Sequence, residues 1–236
     1  MKKEVLIIKN ITHENPGLIS ELLKEYRIRY DIIDLAQKVK FPDIGTYDLI
    51  IILGGPDSAN DNSEKILREL DYINLALKKN IPVFGICLGL QLIVKVSGGK
   101  VYKNPIEEIG FKFNDKWFSI KLTEQGLKDP IFCNVEDNFI VFQLHGETVK
   151  LNENIKLLGT GEFCKNQIIK IGEYNYGFQF HFELTNKLLN EWTLLAPELD
   201  NIDRNQLFVS YNKIKKTYIE RGKTIFLNYL KLIQLI

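Results

Sequence analysis

The chain has 236 residues, with 31 lysines and arginines against 30 aspartates and glutamates, a net charge of +1. That balance gives no electrostatic footprint for nucleic acid, and three widely spaced cysteines make neither a disulfide framework nor a Cys-x-x-Cys metal pair. The apolar run at 5–8 is too short for a signal-peptide core and no segment approaches the roughly 18 apolar residues of a bilayer span, so a cytoplasmic protein with no membrane partner is expected.

Residues 4–8 read as a first strand, followed by a helix over 16–25 opened by a proline in its first turn. Apolar runs at 30–35 and 47–53 read as further strands, the second ending at Gly54-Gly55-Pro56. Ser63 caps a helix whose Ile66, Leu67, Leu70, Ile73 and Leu77 recur at helical spacing as far as Asn80. A buried strand at 81–87 then runs straight into a helix from 87. This alternation predicts an α/β fold with a mostly parallel sheet covered on both faces.

Short runs at 101–102, 110–113, 118–122 and 139–143 predict a small antiparallel layer beside that sheet. The apolar stretch 176–183 is followed by helices at 186–195 and about 205–235, the second interrupted at Arg221-Gly222-Lys223, which would divide it in two. One domain is expected over 1–236, with a catalytic core at 1–184 and a helical extension at 185–236 packing on it.

Cys87 stands where strand passes into helix, with Gly85 two before it and Gly89 two after. That is the Gly-x-nucleophile-x-Gly form of a nucleophile elbow, in which glycines make room for a strained turn and the first helical amides favour a thiolate. An inert buried cysteine fits the same motif. His181 and Glu183, two apart at the end of an apolar run, would share a face of a strand, and a short bend would let the carboxylate orient the imidazole. Alone, a histidine between two phenylalanines reads as a core group; beside an elbow cysteine it reads as the base of a Cys-His-Glu triad.

Four segments in order, Leu-Gly-Gly-Pro-Asp-Ser-Ala-Asn-Asp (53–61), Gly-Ile-Cys-Leu-Gly-Leu-Gln-Leu (85–92), His-Gly-Glu-Thr (145–148) and Gly-Phe-Gln-Phe-His-Phe-Glu (177–183), resemble those of class I glutamine amidotransferases. The resemblance is to the stand-alone group similar to the glutaminase domain of GMP synthase. It implies a three-layer, flavodoxin-like fold in which Cys87 attacks the side-chain amide of glutamine with His181 and Glu183 completing the triad. It also implies an oxyanion hole from the backbone N–H groups of Gly55 and Leu88, and a glutamine site at Gln91, His145 and Gly146. No metal or organic cofactor is implied. Segments 108–110 and 166–167 recur in related proteins and read as structural turns and strand ends.

Two positions depart from the family pattern. Phe182 replaces the usual proline of His-Pro-Glu, which should loosen the exit from the strand. Glu147 replaces the usual aspartate of His-Gly-Asp, which should reshape the substrate pocket. The implied partners are glutamine or another γ-glutamyl small molecule, and a synthetase subunit to receive ammonia, since the length leaves no room for an acceptor domain. A stand-alone γ-glutamyl peptidase or hydrolase is the alternative that Glu147 favours. A binding or regulatory subunit without activity is a further alternative, against which the intact Cys87, His181 and Glu183 stand.

The other candidates have plain readings. His13 reads as a solvated turn residue, and Cys133 and Cys164 as structural thiols. Gly54-Gly55 lacks the spacing and the following Lys-Ser/Thr of a phosphate loop.

Overall fold

The computed structural model describes residues 4–37 and 39–236. Its first part alternates β1 (Glu4–Lys9), α1 (Gly17–Glu25), β2 (Arg29–Asp34), β3 (Leu49–Ile52), α2 (Glu64–Lys78), β4 (Val83–Ile86) and α3 (Leu88–Val96). A strand-rich part follows: β5 (Lys100–Gly110), β6 (Lys112–Phe113), β7 (Lys116–Trp117), β8 (Ser119–Leu122), the short α4 (Glu124–Leu127), β9 (Asn138–Ile140), β10 (Gln143–Lys150), β11 (Ile155–Gly161), β12 (Ile168–Ile171) and β13 (Asn175–Phe178). Two helices close the chain, α5 (Asn186–Leu195) and α6 (Arg204–Leu232). The expected cap forms, Ser63 Oγ accepting from the Ile66 amide at 3.3 Å, and Thr185 Oγ1 caps α5 by accepting from the Leu188 amide at 3.2 Å.

The main sheet has nine strands in the order β2-β1-β3-β4-β13-β12-β11-β8-β9. The first five run parallel, in the flavodoxin-like order with its crossover at β1 and β3, and the rest pair antiparallel. Alternation along the parallel strands sends side chains to two cores. Val5, Ile7, Leu49, Ile51 and Phe84 meet Leu18 and Leu22 of α1 and Phe226 and Tyr229 of α6, whereas Leu6, Ile8, Ile50, Ile52 and Val83 meet Ile66 and Ile73 of α2 and Leu90 and Ile93 of α3. A third cluster joins Leu188 and Trp192 of α5, Tyr211 and Tyr218 of α6, Phe111 and Phe142.

Two expectations are corrected. The runs at 118–122 and 139–143 do not form a separate layer: β8 and β9 extend the main sheet, because Ile120, Leu122 and Phe139 have an apolar face to bury against its core. The separate antiparallel ribbon is β5 with β10, and the runs 101–102 and 110–113 were the two ends of one long strand and its successor. Nor does Gly222 divide the last helix, which continues unbroken for 29 residues. A Cβ there would stand 2.8 Å from the carbonyl oxygen of Phe182 and 2.9 Å from Leu18 Cδ2, so glycine is what lets α6 close on the core. Among the described residues no helix is long and apolar enough to cross a membrane.

Candidate active site

The carboxyl ends of β1, β3, β4 and β13 gather at one edge of the sheet, where ligands bind in open α/β folds. At the end of β4 Cys87 adopts φ 53° and ψ −107°, a left-handed backbone that a non-glycine residue holds only when its surroundings impose it. The flanking glycines supply the constraint. A Cβ on Gly85 would stand 2.5 Å from the backbone of Gly89, and one on Gly89 would stand 2.3 Å from the carbonyl oxygen of Ile52, so α3 packs directly on two strands. The Cys87 amide donates to the Phe178 carbonyl at 2.7 Å, tying the elbow to β13.

β13 ends at Phe178, earlier than the apolar run suggests, and the bend that follows brings His181 Nδ1 to 2.8 Å from Glu183 Oε1. Both side chains are buried. Burial disfavours the imidazolium, but the charge of Glu183 and the nearness of Cys87 outweigh it and hold the His181 pKa well above its usual value. The other ring nitrogen, Nε2, is buried with no hydrogen-bond partner among the described residues. Trp192 stands edge-on to the ring at 4.9 Å between centroids and fixes its plane.

The strand exit is not loosened by the missing proline. Phe182 is buried between Phe84 and Phe178, with centroids 5.7 and 5.2 Å away, and the Tyr218 hydroxyl donates to the His181 carbonyl. Packing and one hydrogen bond from α6 do what a fixed φ would otherwise do.

Gly55 and Leu88 face the same pocket, of about 220 Å³, which is also lined by Cys87, Gln91, Leu144, His145, Gly146 and Glu147. Gly55 lies close under Asn10, whose Cβ would be 2.5 Å from a Gly55 side chain, and Asn10 Nδ2 donates to the Leu53 carbonyl and to Glu69 Oε1. Lys65 braces the loop by donating to Asn10 O at 2.7 Å and Asp57 Oδ2 at 2.6 Å. Glu147 reaches across the mouth: Ser58 Oγ lies 3.0 and 2.8 Å from its two carboxylate oxygens.

Side-chain engagement separates the remaining residues. Gln91 is buried and donates to Glu147 O at 3.3 Å and Gln179 Oε1 at 3.4 Å. Both nitrogens of His145 are occupied, Nδ1 by Glu147 O at 3.0 Å and Nε2 by Glu108 Oε2 at 2.8 Å, so it meets the pocket through other atoms. Gln167 Nε2 donates to the same Glu108 oxygen at 2.8 Å. Segments 108–110 and 166–167 are therefore more than turns, since they form a buried polar strut behind β10. Cys164 joins that cluster, and its ligand-type atom lies within 4.8 Å of those of Glu108 and His145. Each of the three already has a hydrogen-bond partner in the fold, and burial raises the Cys164 thiol to about 11, so the donor set is that of a strut and not of a metal centre.

Gln179 had no place in the sequence reading. Its Nε2 donates to Cys87 Sγ at 3.6 Å, while the thiol has the Leu144 carbonyl at 3.6 Å on another side. The signal was a lone amide in the apolar run Gly-Phe-Gln-Phe-His, two residues before His181. A buried polar side chain in such a run needs a partner.

The glutamine amidotransferase class-I family model matches residues 12–193. The glutamine amidotransferase-like protein YfeJ of Salmonella typhimurium is 33% identical over 149 residues, 61% of this chain and 60% of YfeJ. A glutamine-hydrolysing GMP synthase subunit of Pyrococcus abyssi is 37% identical over 140 residues, 58% of this chain and 66% of that relative. Each match thus spans less than two thirds of the relative's length. A solved structure of a glutamine amidotransferase from Thermotoga maritima superposes with a TM-score of 0.87 at 27% identity, covering 99% of both chains.

Proposed function

The chain belongs to the class-I glutamine amidotransferase family, and from that premise we propose that it hydrolyses the side-chain amide of glutamine through a γ-glutamyl thioester on Cys87. The observation that carries this reading is the hydrogen-bonded His181–Glu183 pair beside a cysteine held at positive φ at the start of α3. The thiolate of Cys87 attacks the δ-carbonyl carbon, forming the C–S bond and a tetrahedral oxyanion that accepts from the amides of Gly55 and Leu88. The C–N bond then breaks as the imidazolium of His181 gives its proton to the leaving nitrogen, releasing ammonia. Water attacks the thioester as His181 takes its proton, the C–S bond breaks, and glutamate leaves with the thiolate–imidazolium pair restored.

Glu183 orients the ring and stabilises its charged form through Nδ1. Gln91, His145 and Gly146 shape the wall on which glutamine rests, and these steps call for no metal or cofactor. The ammonia passes to an acceptor on a synthetase partner, a reading supported by the likeness to one subunit of a GMP synthase. A second reading is favoured by the Glu147–Ser58 bridge across the pocket mouth, which fits a γ-glutamyl compound other than glutamine cleaved without ammonia transfer.

Labelling with 6-diazo-5-oxo-norleucine, read by intact mass, tests both. One adduct per chain that is lost in Cys87→Ala is expected. Full activity of the chain alone on a γ-glutamyl peptide, unchanged by any synthetase, would move the assignment to the hydrolase, and no adduct on the wild type would sink both.

A further inference from the structure

Glu14 lies in the loop after β1 and is buried. Charged and titratable groups face it from every neighbouring element: Lys9 at the end of β1, His13 beside it, His181 and Glu183 beyond β13, and Glu198 in the turn Pro197–Leu199. Lys9 is committed elsewhere, donating to Asn15 Oδ1 at 2.8 Å and to the Thr12 carbonyl. The approach to His181 is close, because both groups converge on a position with no side chain. A Cβ on Gly54 would stand 2.5 Å from Glu14 Oε2 and 3.1 Å from His181 Cε1.

The chemistry assigned above uses Nδ1 and Nε2 of His181 and leaves Cε1, the carbon between them, unassigned. In the imidazolium that carbon shares the positive charge, so a carboxylate beside it favours the protonated ring. We propose that Glu14 is a positioning residue for His181, a second carboxylate that, once ionised, holds the imidazolium and keeps the thiolate–imidazolium pair intact at alkaline pH. This rests on the reading of His181 as the proton carrier.

Burial lifts Glu14 to about 7; His181 and Lys9 pull it down, and Glu183 and Glu198 push it up. Below that pH the carboxyl is neutral and contributes little to the ring. Above it, its charge adds to that of Glu183, and His181 keeps its proton further into the alkaline range.

The first test is nuclear magnetic resonance of the wild type labelled with carbon-13 in its three histidines. The His181 Cε1–H resonance should step near pH 7 while the ring stays protonated, and the step should vanish in Glu14→Gln. A featureless wild-type resonance between about pH 6 and 8 overturns the proposal, and this arm holds even if the variant fails to fold. The second test is the pH profile of glutamine hydrolysis. Glu14→Gln should match the wild type near pH 6 and fall roughly tenfold behind it near pH 9, its alkaline limb displaced downward. Loss by the same factor at every pH would show a merely structural role, and superimposable profiles no role; either overturns the proposal. A wild type that neither hydrolyses glutamine nor takes the diazo label sinks the glutaminase reading, and the resonance then decides Glu14 independently.

Discussion

The hydroxyl of Tyr218, midway along the last helix, donates to the backbone carbonyl of His181. The helical extension therefore holds the bend that aims the imidazole, and the bond is buried. Tyr218→Phe keeps the ring and its packing but leaves that carbonyl only the long bond from the Leu184 amide at 3.5 Å. Thermal unfolding should show a loss of about 1–3 kcal/mol. Diazo labelling of Cys87 should slow several-fold, because the His181–Glu183 pair loses its fixed position. An unchanged labelling rate with lowered stability would restrict Tyr218 to the fold.

Gly222 acts one turn further along the same helix. A methyl group there would press on the Phe182 carbonyl oxygen at 2.8 Å and on Leu18 Cδ2 at 2.9 Å, and Val would press harder. The backbone carbonyl cannot yield without moving His181 and Glu183 on either side of it. Gly222→Val is expected to destabilise by about 1–3 kcal/mol and to reduce glutamine turnover beyond what its melting curve explains. Gly222→Ala, although a better helix former, should also be destabilising, which separates close packing from helix propensity.

Gln179 touches the sulfur itself. Gln179→Leu removes the amide that donates to Cys87 and takes one of two acceptors from Gln91, which keeps its bond to the Glu147 carbonyl. A hydrogen bond to a charged group contributes roughly 1.5–3 kcal/mol, so losing this one should lower the thiolate population and slow acylation by about tenfold or more. Pre-steady-state release of ammonia measures that step alone; a normal burst with slow turnover would place the defect in deacylation instead.

The legible parts of this chain were those fixed by neighbours in sequence. Ser63 before a helical run, glycines around Cys87 and the two-residue spacing of His181 and Glu183 each carry their geometry locally, and each expected element or contact forms. What was hidden depends on long-range pairing. Nothing near 118–122 says that it will pair with β11, 37 to 41 residues away along the register Gly159↔Leu122 and Gly161↔Ile120. Gly222 reads as a helix breaker until Phe182 is brought against it, and nothing in the sequence singles out Glu14, which only the fold brings to Gly54 and His181. Phe182 itself was expected to loosen the strand exit, but the rings of Phe84 and Phe178 and the Tyr218 hydroxyl secure it.

Glu69 supplies a pH test of the fold beneath the Gly54-Gly55-Pro56 loop. It is fully buried on α2, its Oε1 accepting from Asn10 Nδ2 at 3.1 Å and its Oε2 without a partner among the described residues. Burial lifts it to about 7 from an ordinary 4.5, against the opposing pull of Asn10 and Lys65. The folded protein thus retains a proton that the unfolded chain releases. The stability this proton contributes is fully present below about pH 4.5 and is lost as pH rises through about 7. Glu69→Gln removes the ionisation and keeps the shape, and its carboxamide can face the unpartnered Asn10 Oδ1. Denaturant unfolding should therefore find the variant close to the wild type near pH 4.5 but more stable near pH 8, by up to about 3 kcal/mol. Glu14, which titrates over the same range, leaves part of the wild type's pH dependence in place. A gain that is equal at both pH values would mean that repacking, and not the ionisation, had changed the stability.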